Sequence, residues 1–165
     1  MTSEHLLHTI PPIYDGNSKI LILGSFPSVK SREVSFYYGH PQNRFWRVLA
    51  AVIGCAVPSS NEEKTALLHS HNIALWDVIK SCDIVGSSDS SIKNVVPNDI
   101  GAILSSCGIR QIYSNGKTSE KLFNKYIKDT VGRDTVALPS TSPANASYNL
   151  ERLTDSWSVI KNNIR

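Results

Sequence analysis

The sequence contains only three cysteines, Cys55, Cys82 and Cys107, and long stretches of chain separate them. An odd number without paired spacing excludes a disulfide framework and favours a reducing compartment. The same scarcity excludes a zinc or iron–sulfur site built from four cysteines. The five histidines lack the HExxH spacing of zinc hydrolases. We therefore expect no metal and no other cofactor.

Other familiar signatures are missing as well. The chain has no GxGxxG and no GxxxxGK(S/T) motif, so neither dinucleotide binding nor phosphoryl transfer is supported. No serine lies in a GxSxG nucleophile elbow. No apolar run reaches membrane-spanning length, and residues 1–8 lack the basic and apolar regions of a signal peptide. We expect an intracellular, soluble, cytoplasmic protein that binds no membrane.

The bulk composition is that of an ordinary globular protein. The 165 residues are 41% hydrophobic and 19% charged, which fits a single domain, 1–165, with one core. The net charge is +3, from 17 basic and 14 acidic residues. This mild excess permits a nucleic-acid partner without requiring one.

Short apolar segments alternate with helical patterns along the chain. Four segments rich in β-branched residues predict buried strands at 19–23, 73–78, 110–113 and 135–138. Helical spacing predicts helices at 43–53, 60–70, 98–105, 118–128 and 150–164. The alternation predicts an α/β fold, a three-layer α/β/α sandwich with a central four-stranded, mainly parallel sheet. Residues 81–96, rich in Ser, Asp and Gly, are predicted to form a surface loop.

Residues rich in polar side chains, glycine and proline stand at the carboxyl ends of the predicted strands, at 24–28, 76–77, 114–116 and 139–145. Ligands of such folds bind outside the carboxyl ends of the strands, so a site is expected there. The run 37–46, YYGHPQNRFW, adds aromatic rings, amides and an arginine close together. This mixture is typical of a pocket for a nucleobase, because rings stack on the faces of the base and amides contact its edges.

Three of these stretches resemble motifs of the uracil-DNA glycosylase superfamily: GSFPS at 24–28, GHPQNRFW at 39–46 and LPSTSPANAS at 138–147. Within it, the chain is most similar to the hypoxanthine-DNA (deoxyinosine) glycosylase branch. ALWDV at 74–78 and NVVPND at 94–99 extend the resemblance over nearly the whole chain. The resemblance implies a base-excision repair enzyme that flips a damaged nucleotide and hydrolyses its N-glycosidic bond. Its partner would be damaged DNA, duplex or single-stranded. It would act as a monomer, near the nucleoid in a bacterium or archaeon.

The resemblance also implies roles for single residues. Asn43 and Asn115 match asparagines implicated in catalysis, and Tyr38 stands where related enzymes stack a ring on the target base. Structural alternatives are a helix cap at Asn43, a turn at Asn115 and a core position at Tyr38. The expected base-binding residues are Gly24, Ser25, Phe26, Tyr38 and His40. The expected DNA-binding residues are Pro27, Ser28, Lys30, Ser140, Thr141, Ser142, Pro143, Ala144 and Asn145.

The sequence departs from the better-known enzymes of the superfamily in two motifs. Phe26 stands where they carry a water-positioning Asp or Asn, and Ser140 stands where they carry a His or Asn that stabilises the leaving base. The usual general base is therefore missing. Asp77 could replace it or could cap a loop, and Lys117 is close enough to the pocket motifs to keep a lyase reaction open. Two alternatives remain, a uracil or mismatch glycosylase and a catalytically silent nucleic-acid-binding module.

Overall fold

The computed structural model describes residues 2–165. This part of the chain contains seven strands and eight α-helices. The prediction of no signal peptide concerns residues 1–8, and the first of these, Met1, lies outside the described residues. The strands are β1 Glu4–Leu7, β2 Ile20–Gly24, β3 Ile73–Asp77, β4 Ile79–Ile84, β5 Lys93–Pro97, β6 Gln111–Asn115 and β7 Thr135–Leu138. The helices are α1 Val29–Val34, α2 Phe45–Ile53, α3 Asn61–Ser70, α4 Ile100–Ser106, α5 Lys117–Tyr126, α6 Lys128–Val131, α7 Leu150–Trp157 and α8 Lys161–Ile164. None of these helices combines the length and the apolar character that crossing a membrane requires.

The central sheet has the strand order β3-β2-β6-β7, and all of its pairs are parallel. Every residue of β2 is buried. Because successive side chains of a strand point to opposite faces, Ile20 and Ile22 pack with α2, α3 and α7, whereas Leu21 and Leu23 pack with α4 and α5. Helices therefore cover both faces. This confirms the predicted three-layer α/β/α sandwich with a four-stranded parallel sheet.

The predicted helices form, and most of their ends are displaced by one or two residues. Ser60 caps α3, since its Oγ accepts the backbone N–H of Glu63 at 3.1 Å. The predicted 118–128 helix is divided into α5 and α6 at Ile127. The C-terminal stripe continues through α7, a 3₁₀ turn at Ser158–Ile160 and α8. Local sequence patterns thus locate the helices that cover the central sheet.

The prediction of a loop at 81–96 is wrong for half of the segment. Residues 81–84 and 93–96 belong to β4 and β5, which form a second, antiparallel sheet in the order β1-β4-β5. Along β4, Ile79, Cys82 and Ile84 are buried, whereas Lys80 is exposed and Asp83 is half-buried. Most of the Ser, Asp and Gly residues that suggested a loop lie in the connection 85–92, and only Ser81 and Asp83 belong to β4. Only the connection 85–92 is irregular, with a 3₁₀ turn at Asp89–Ser91.

Candidate active site

An open cavity of about 400 Å³ lies at the carboxyl ends of β2, β3 and β6. This is the edge at which parallel α/β sheets bind ligands, and the volume lies within the range of about 300–1,000 Å³ that is typical of small-molecule sites. The wall comes from the loop after β2, the run before α2, the start of α5, the loop after β7 and the β4–β5 connection. Segments that are far apart in sequence therefore meet around one space.

The structure brings most of the predicted site residues to this cavity. Those on its wall are Gly24, Ser25, Phe26, Pro27, Ser28, Tyr38, Asn43, Asn115, Ser140, Thr141, Ser142 and Ala144, together with Asp77 and Lys117. The two asparagines and the serine-rich loop thus line the same cavity, and their roles toward DNA stay predictions.

The remaining predicted residues lie off the cavity wall. Lys30 is exposed and pairs with Glu33 at 3.5 Å. Nδ1 of His40 accepts the backbone N–H of Gln42, which closes the Gly-His-Pro corner. Nδ2 of Asn145 donates to the carbonyl of its own loop at Ser140. The fourth residue off the wall is Pro143, which is exposed. Contacts of these four residues with DNA or a base stay predictions.

A fully buried threonine joins the two asparagines. Oγ1 of Thr141 accepts from Nδ2 of Asn115 at 3.0 Å and donates to Oδ1 of Asn43 at 2.9 Å. The backbone N–H of Thr141 donates to Oδ1 of Asn115, and that of Phe45 donates to Oδ1 of Asn43. Because a backbone N–H can only donate, these contacts fix which atom of each amide is the oxygen. Each amide keeps at least one N–H without a partner among residues 2–165, and that group can donate to a ligand.

Arg44 holds the loop after β7 against the start of α2. Its guanidinium donates to the carbonyl oxygens of Ser142 and Asn145, at 2.8 and 3.1 Å, and to that of Tyr148. Its backbone N–H donates to the carbonyl of Thr141 at 3.0 Å. One arginine of the HPQNRFW run therefore sets the position of the serine-rich loop and of the threonine within it.

Asp77 ends β3 on the cavity wall and is paired with a histidine from the N-terminal segment. Nε2 of His8 donates to Oδ2 of Asp77 at 2.7 Å, and the two side chains are only 1% and 5% exposed. The imidazole also packs edge-on against the ring of Phe26, with the centroids 6.0 Å apart. A carboxylate this deeply buried needs a partner, because an unpaired buried charge is strongly destabilising. No group of three or more His, Cys, Asp or Glu side chains in residues 2–165 has the arrangement of a metal site.

Gly24 is required by the close approach of Asp77. A Cβ at this position would lie 2.4 Å from Oδ1 of Asp77 and 3.1 Å from the hydroxyl oxygen of Tyr38. No residue with a side chain fits there unless the carboxylate moves. The glycine of the GSFPS loop therefore makes room for a carboxylate oxygen and a hydroxyl on the same part of the wall.

Comparison with known proteins identifies the family of this chain. The model of the uracil DNA glycosylase superfamily matches residues 11–162. The chain belongs to the uracil DNA glycosylase superfamily. It is 36% identical over 137 residues to a hypoxanthine DNA glycosylase of Methanosarcina barkeri, and this alignment covers 82% of this chain and 85% of that protein. It is 35% identical over 152 residues to a hypoxanthine DNA glycosylase of Methanosarcina acetivorans, and this alignment covers 91% of this chain and 94% of that protein.

A solved structure of the same superfamily has the same fold. The solution NMR structure of a Methanosarcina acetivorans protein, proposed to be a uracil DNA glycosylase, superposes with a TM-score of 0.79 at 34% identity. The match covers 93% of this chain and 95% of that one. Together with the family match, these relatives make the chain a DNA glycosylase, a hydrolase whose substrate is DNA.

The aromatic wall of this superfamily member includes Tyr38, whose backbone is left-handed, with φ at 51°. Its ring stacks on Phe45, with centroids 4.1 Å apart and an interplanar angle of 20°. Its hydroxyl oxygen is buried and has no hydrogen-bond partner within residues 2–165. Burial raises the pKa of Tyr38 well above its ordinary value, and the nearby charge of Asp77 raises it further. The hydroxyl therefore stays protonated and remains a donor.

Sequence reasoning missed two parts of the site. His8 contacts Asp77 across 69 residues, and no motif or spacing signals that contact. It also lies outside residues 11–162, which the superfamily model matches. The last residue of β4, Ile84, and the β4–β5 connection contribute a second part of the wall, and the residues of the connection that reach it are Ser87, Ser88 and Asp89. The only sequence signal for that part is a Ser-rich composition, which a plain surface loop would also have.

Proposed function

We propose that this DNA glycosylase removes hypoxanthine from DNA by hydrolysing the N-glycosidic bond of deoxyinosine. The observation that carries the proposal is the bridge from Asn43 through Thr141 to Asn115, which fixes two amides on the wall of one cavity. The names of two relatives at 36% and 35% identity, both hypoxanthine DNA glycosylases, support the choice of substrate.

In the proposed reaction, the bond between C1′ of the sugar and N9 of the base breaks, and the electron pair stays on the base. Water adds to C1′ and gives its proton to solvent, and the departing base takes up a proton from solvent. An amide cannot accept a proton near neutral pH. Asn43 therefore acts by holding the water through its Nδ2–H group, which its contacts with Thr141 and Phe45 leave available. Asn115 donates to the leaving hypoxanthine and draws negative charge onto it.

Phe26 supplies the ring against which the flipped base lies, whereas Tyr38, whose ring is stacked on Phe45, contributes its hydroxyl to the same wall. The hydroxyl groups proposed to contact the phosphates belong to Ser28, Ser140 and Ser142, and Ala144 lies at the exposed tip of its loop. That tip is proposed to enter the space which the flipped nucleotide leaves. One chain supplies all of these residues, so we expect a monomer to be active.

We propose a monofunctional enzyme, although Lys117 lies on the cavity wall. A lyase would use a lysine amine to form a Schiff base with the sugar. Lys117 is exposed at the first turn of α5 and lacks the apolar burial that activates such lysines. Hydrolysis therefore leaves an abasic site in an intact strand.

Duplex oligonucleotides that carry a single hypoxanthine, uracil, xanthine or mismatched thymine test the proposal. Each is incubated with excess protein and then divided into samples with and without alkali. We expect strand cleavage at hypoxanthine, and only after alkali. Faster cleavage at uracil or thymine would favour the uracil or mismatch enzyme, and binding without cleavage would favour a silent module. Cleavage without alkali would show a lyase.

A further inference from the structure

We propose that Asp77 and the hydroxyl of Tyr38 read the lactam edge of the flipped base, and that His8 is the residue that positions Asp77 for this task. The lactam edge of hypoxanthine is the N1–H group beside the C6 carbonyl. The inference rests on the proposed function, because it concerns the base that the cavity accepts.

Asp77 offers an acceptor whose orientation is fixed. Oδ2 accepts from Nε2 of His8 at 2.7 Å, and His8 is the only hydrogen-bond partner of this carboxylate among residues 2–165. Oδ1 lies beside Gly24, which has no side chain to cover it. An ionised carboxylate only accepts hydrogen bonds, so Oδ1 calls for an N–H group.

Tyr38 offers a donor next to that acceptor. Its hydroxyl oxygen and Oδ1 of Asp77 lie 3.1 and 2.4 Å from one point, the position that a Cβ on Gly24 would occupy. The hydroxyl is buried and has no partner in the described part of the chain. An unpartnered buried hydroxyl is unfavourable, and a carbonyl oxygen of a ligand would satisfy it.

The two groups together match one kind of base edge. A lactam donates from its N–H to Oδ1 of Asp77 and accepts from the hydroxyl of Tyr38 with its carbonyl. Adenine presents the reverse order, a ring nitrogen that accepts beside an amine that donates. Its ring nitrogen would face Oδ1 of Asp77, acceptor against acceptor, and this contact would be repulsive, whereas the hydroxyl of Tyr38 can turn to accept from the amine. Uracil has the same order as hypoxanthine. The pair therefore selects lactam bases against adenine, and stacking of the base falls to the ring of Phe26.

His8 makes this arrangement possible because it holds the carboxylate in one orientation. It comes from a segment just after β1 that packs against β4, and its backbone N–H donates to the carbonyl of Lys80 at 2.7 Å. Its ring is fixed by Phe26 and Tyr37, whose centroids lie 6.0 and 6.1 Å away. A binding group is only as well placed as the residues that support it. The second sheet thus contributes to base selection through His8.

The test compares single-turnover excision of hypoxanthine and of 1-methylhypoxanthine, which lacks the N1–H donor, from otherwise identical duplexes. The protein should excise the methylated base more slowly by at least about a hundredfold. Asp77→Ala removes the acceptor and leaves room for the methyl group. We expect this variant to lose most excision of hypoxanthine and to treat the two bases within about tenfold of each other. Equal excision of both bases by the unaltered protein would overturn the inference. An Asp77→Ala variant that slows excision of both bases by the same factor, and so keeps the difference between them, would also overturn it.

Two substitutions of His8 distinguish its proposed role in positioning Asp77 from a contribution to protein stability. His8→Phe keeps an aromatic ring against Phe26 but has no N–H for Asp77, whereas His8→Gln keeps an N–H near the position of Nε2. His8→Phe should show the reduced discrimination of Asp77→Ala, and His8→Gln should restore it, with thermal unfolding recorded for each. Full discrimination in His8→Phe would overturn the role of His8. Tyr38→Phe should slow hypoxanthine excision by about tenfold, and an unchanged rate would remove the hydroxyl from the pair.

The failure of this inference is distinguishable from failure of the proposed function. If the unaltered protein leaves the hypoxanthine duplex intact, the proposed function is wrong and the inference falls with it. If it excises hypoxanthine but also excises 1-methylhypoxanthine at the same rate, the proposed function stands and only the lactam-reading pair is wrong.

Discussion

The hydroxyl of Thr141 donates to Oδ1 of Asn43 at 2.9 Å, although 98 residues separate the two in sequence. The same hydroxyl accepts from Asn115. Because the hydroxyl has a single proton to donate, its direction fixes the orientation of both amides at once. Arg44 supports this contact by binding the carbonyl oxygens of the surrounding loop. Thr141, which we predicted only as a DNA-binding residue, therefore also organises the proposed catalytic pair.

Replacing Thr141 by valine should separate the two asparagines without emptying the site. Valine fills the space of threonine but has no hydroxyl, so Nδ2 of Asn115 and Oδ1 of Asn43 each lose a partner. We expect single-turnover excision of hypoxanthine to fall by about 10- to 100-fold. We also expect a loss of about 1–3 kcal/mol in the free energy of unfolding. Thr141→Ser keeps the hydroxyl and is the matched control; equal excision by the two variants would contradict the account.

Replacing Gly24 by alanine should displace Asp77. The added Cβ would lie 2.4 Å from Oδ1 of the carboxylate, so the side chain must move or the backbone must shift. Overpacking of this kind costs about 1–3 kcal/mol, and we expect that loss in urea unfolding together with weaker excision. Gly16→Ala is the control, since no atom lies within 4 Å of the Cβ it would add. Retention of full stability and excision by Gly24→Ala would show that the close approach is unimportant.

Tyr37 should make the protein less stable in alkali. Burial raises the pKa of Tyr37 above its ordinary value, and the charge of Asp77 adds to the shift. The unfolded chain ionises this tyrosine near pH 10, whereas the folded chain keeps the proton, so the free energy of unfolding falls as the pH rises above about 10. One such group contributes a slope of up to about 1.4 kcal/mol per pH unit.

Urea unfolding of the unaltered protein and of Tyr37→Phe, between about pH 9 and pH 11, measures that slope. The variant should be less stable at neutral pH, because Tyr37 donates to the carbonyl of Pro11 at 2.9 Å. Its stability should nevertheless fall less steeply with pH. Parallel curves for the two proteins would show that Tyr37 does not carry the alkaline loss.

The central layers of the fold could be predicted because β2, β3 and most of β6 are buried on both faces, and only the edge strand β7 is partly exposed. Such strands appear as short continuous apolar runs, as at Ile20–Gly24, and the intervening helices have apolar stripes. The second sheet could not be predicted in the same way. β4 alternates buried and exposed residues irregularly and includes Ser81 and Asp83, while β1 is only 4 residues long. Pairing between β1 and β4 stabilises these strands, and that pairing leaves no local pattern.

In the site, too, residues within local motifs could be predicted, whereas contacts between distant segments could not. Tyr38, Asn43 and Asn115 could be predicted because they lie in motifs or at strand ends that face the cavity. The contact of His8 with Asp77 could not, since it depends on how the second sheet packs beside the first. For Asp77, the sequence predicted either a replacement for the general base or a loop cap, and the structure suggests a third role. Its buried pair with His8 suits an anchored acceptor, and our inference assigns it to the base edge.

Release of free hypoxanthine from a deoxyinosine duplex, followed by chromatography under single-turnover conditions, tests the central claim most directly. The unaltered protein should release one base per duplex and leave the strand intact until alkali is added. Asn43→Ala and Asn115→Ala should each slow the release by about 10²- to 10³-fold. The control Asn17→Ala, which changes an exposed loop residue far from the cavity wall, should release the base at the full rate. No release by the unaltered protein, or full-rate release by both Asn43→Ala and Asn115→Ala, would contradict the account.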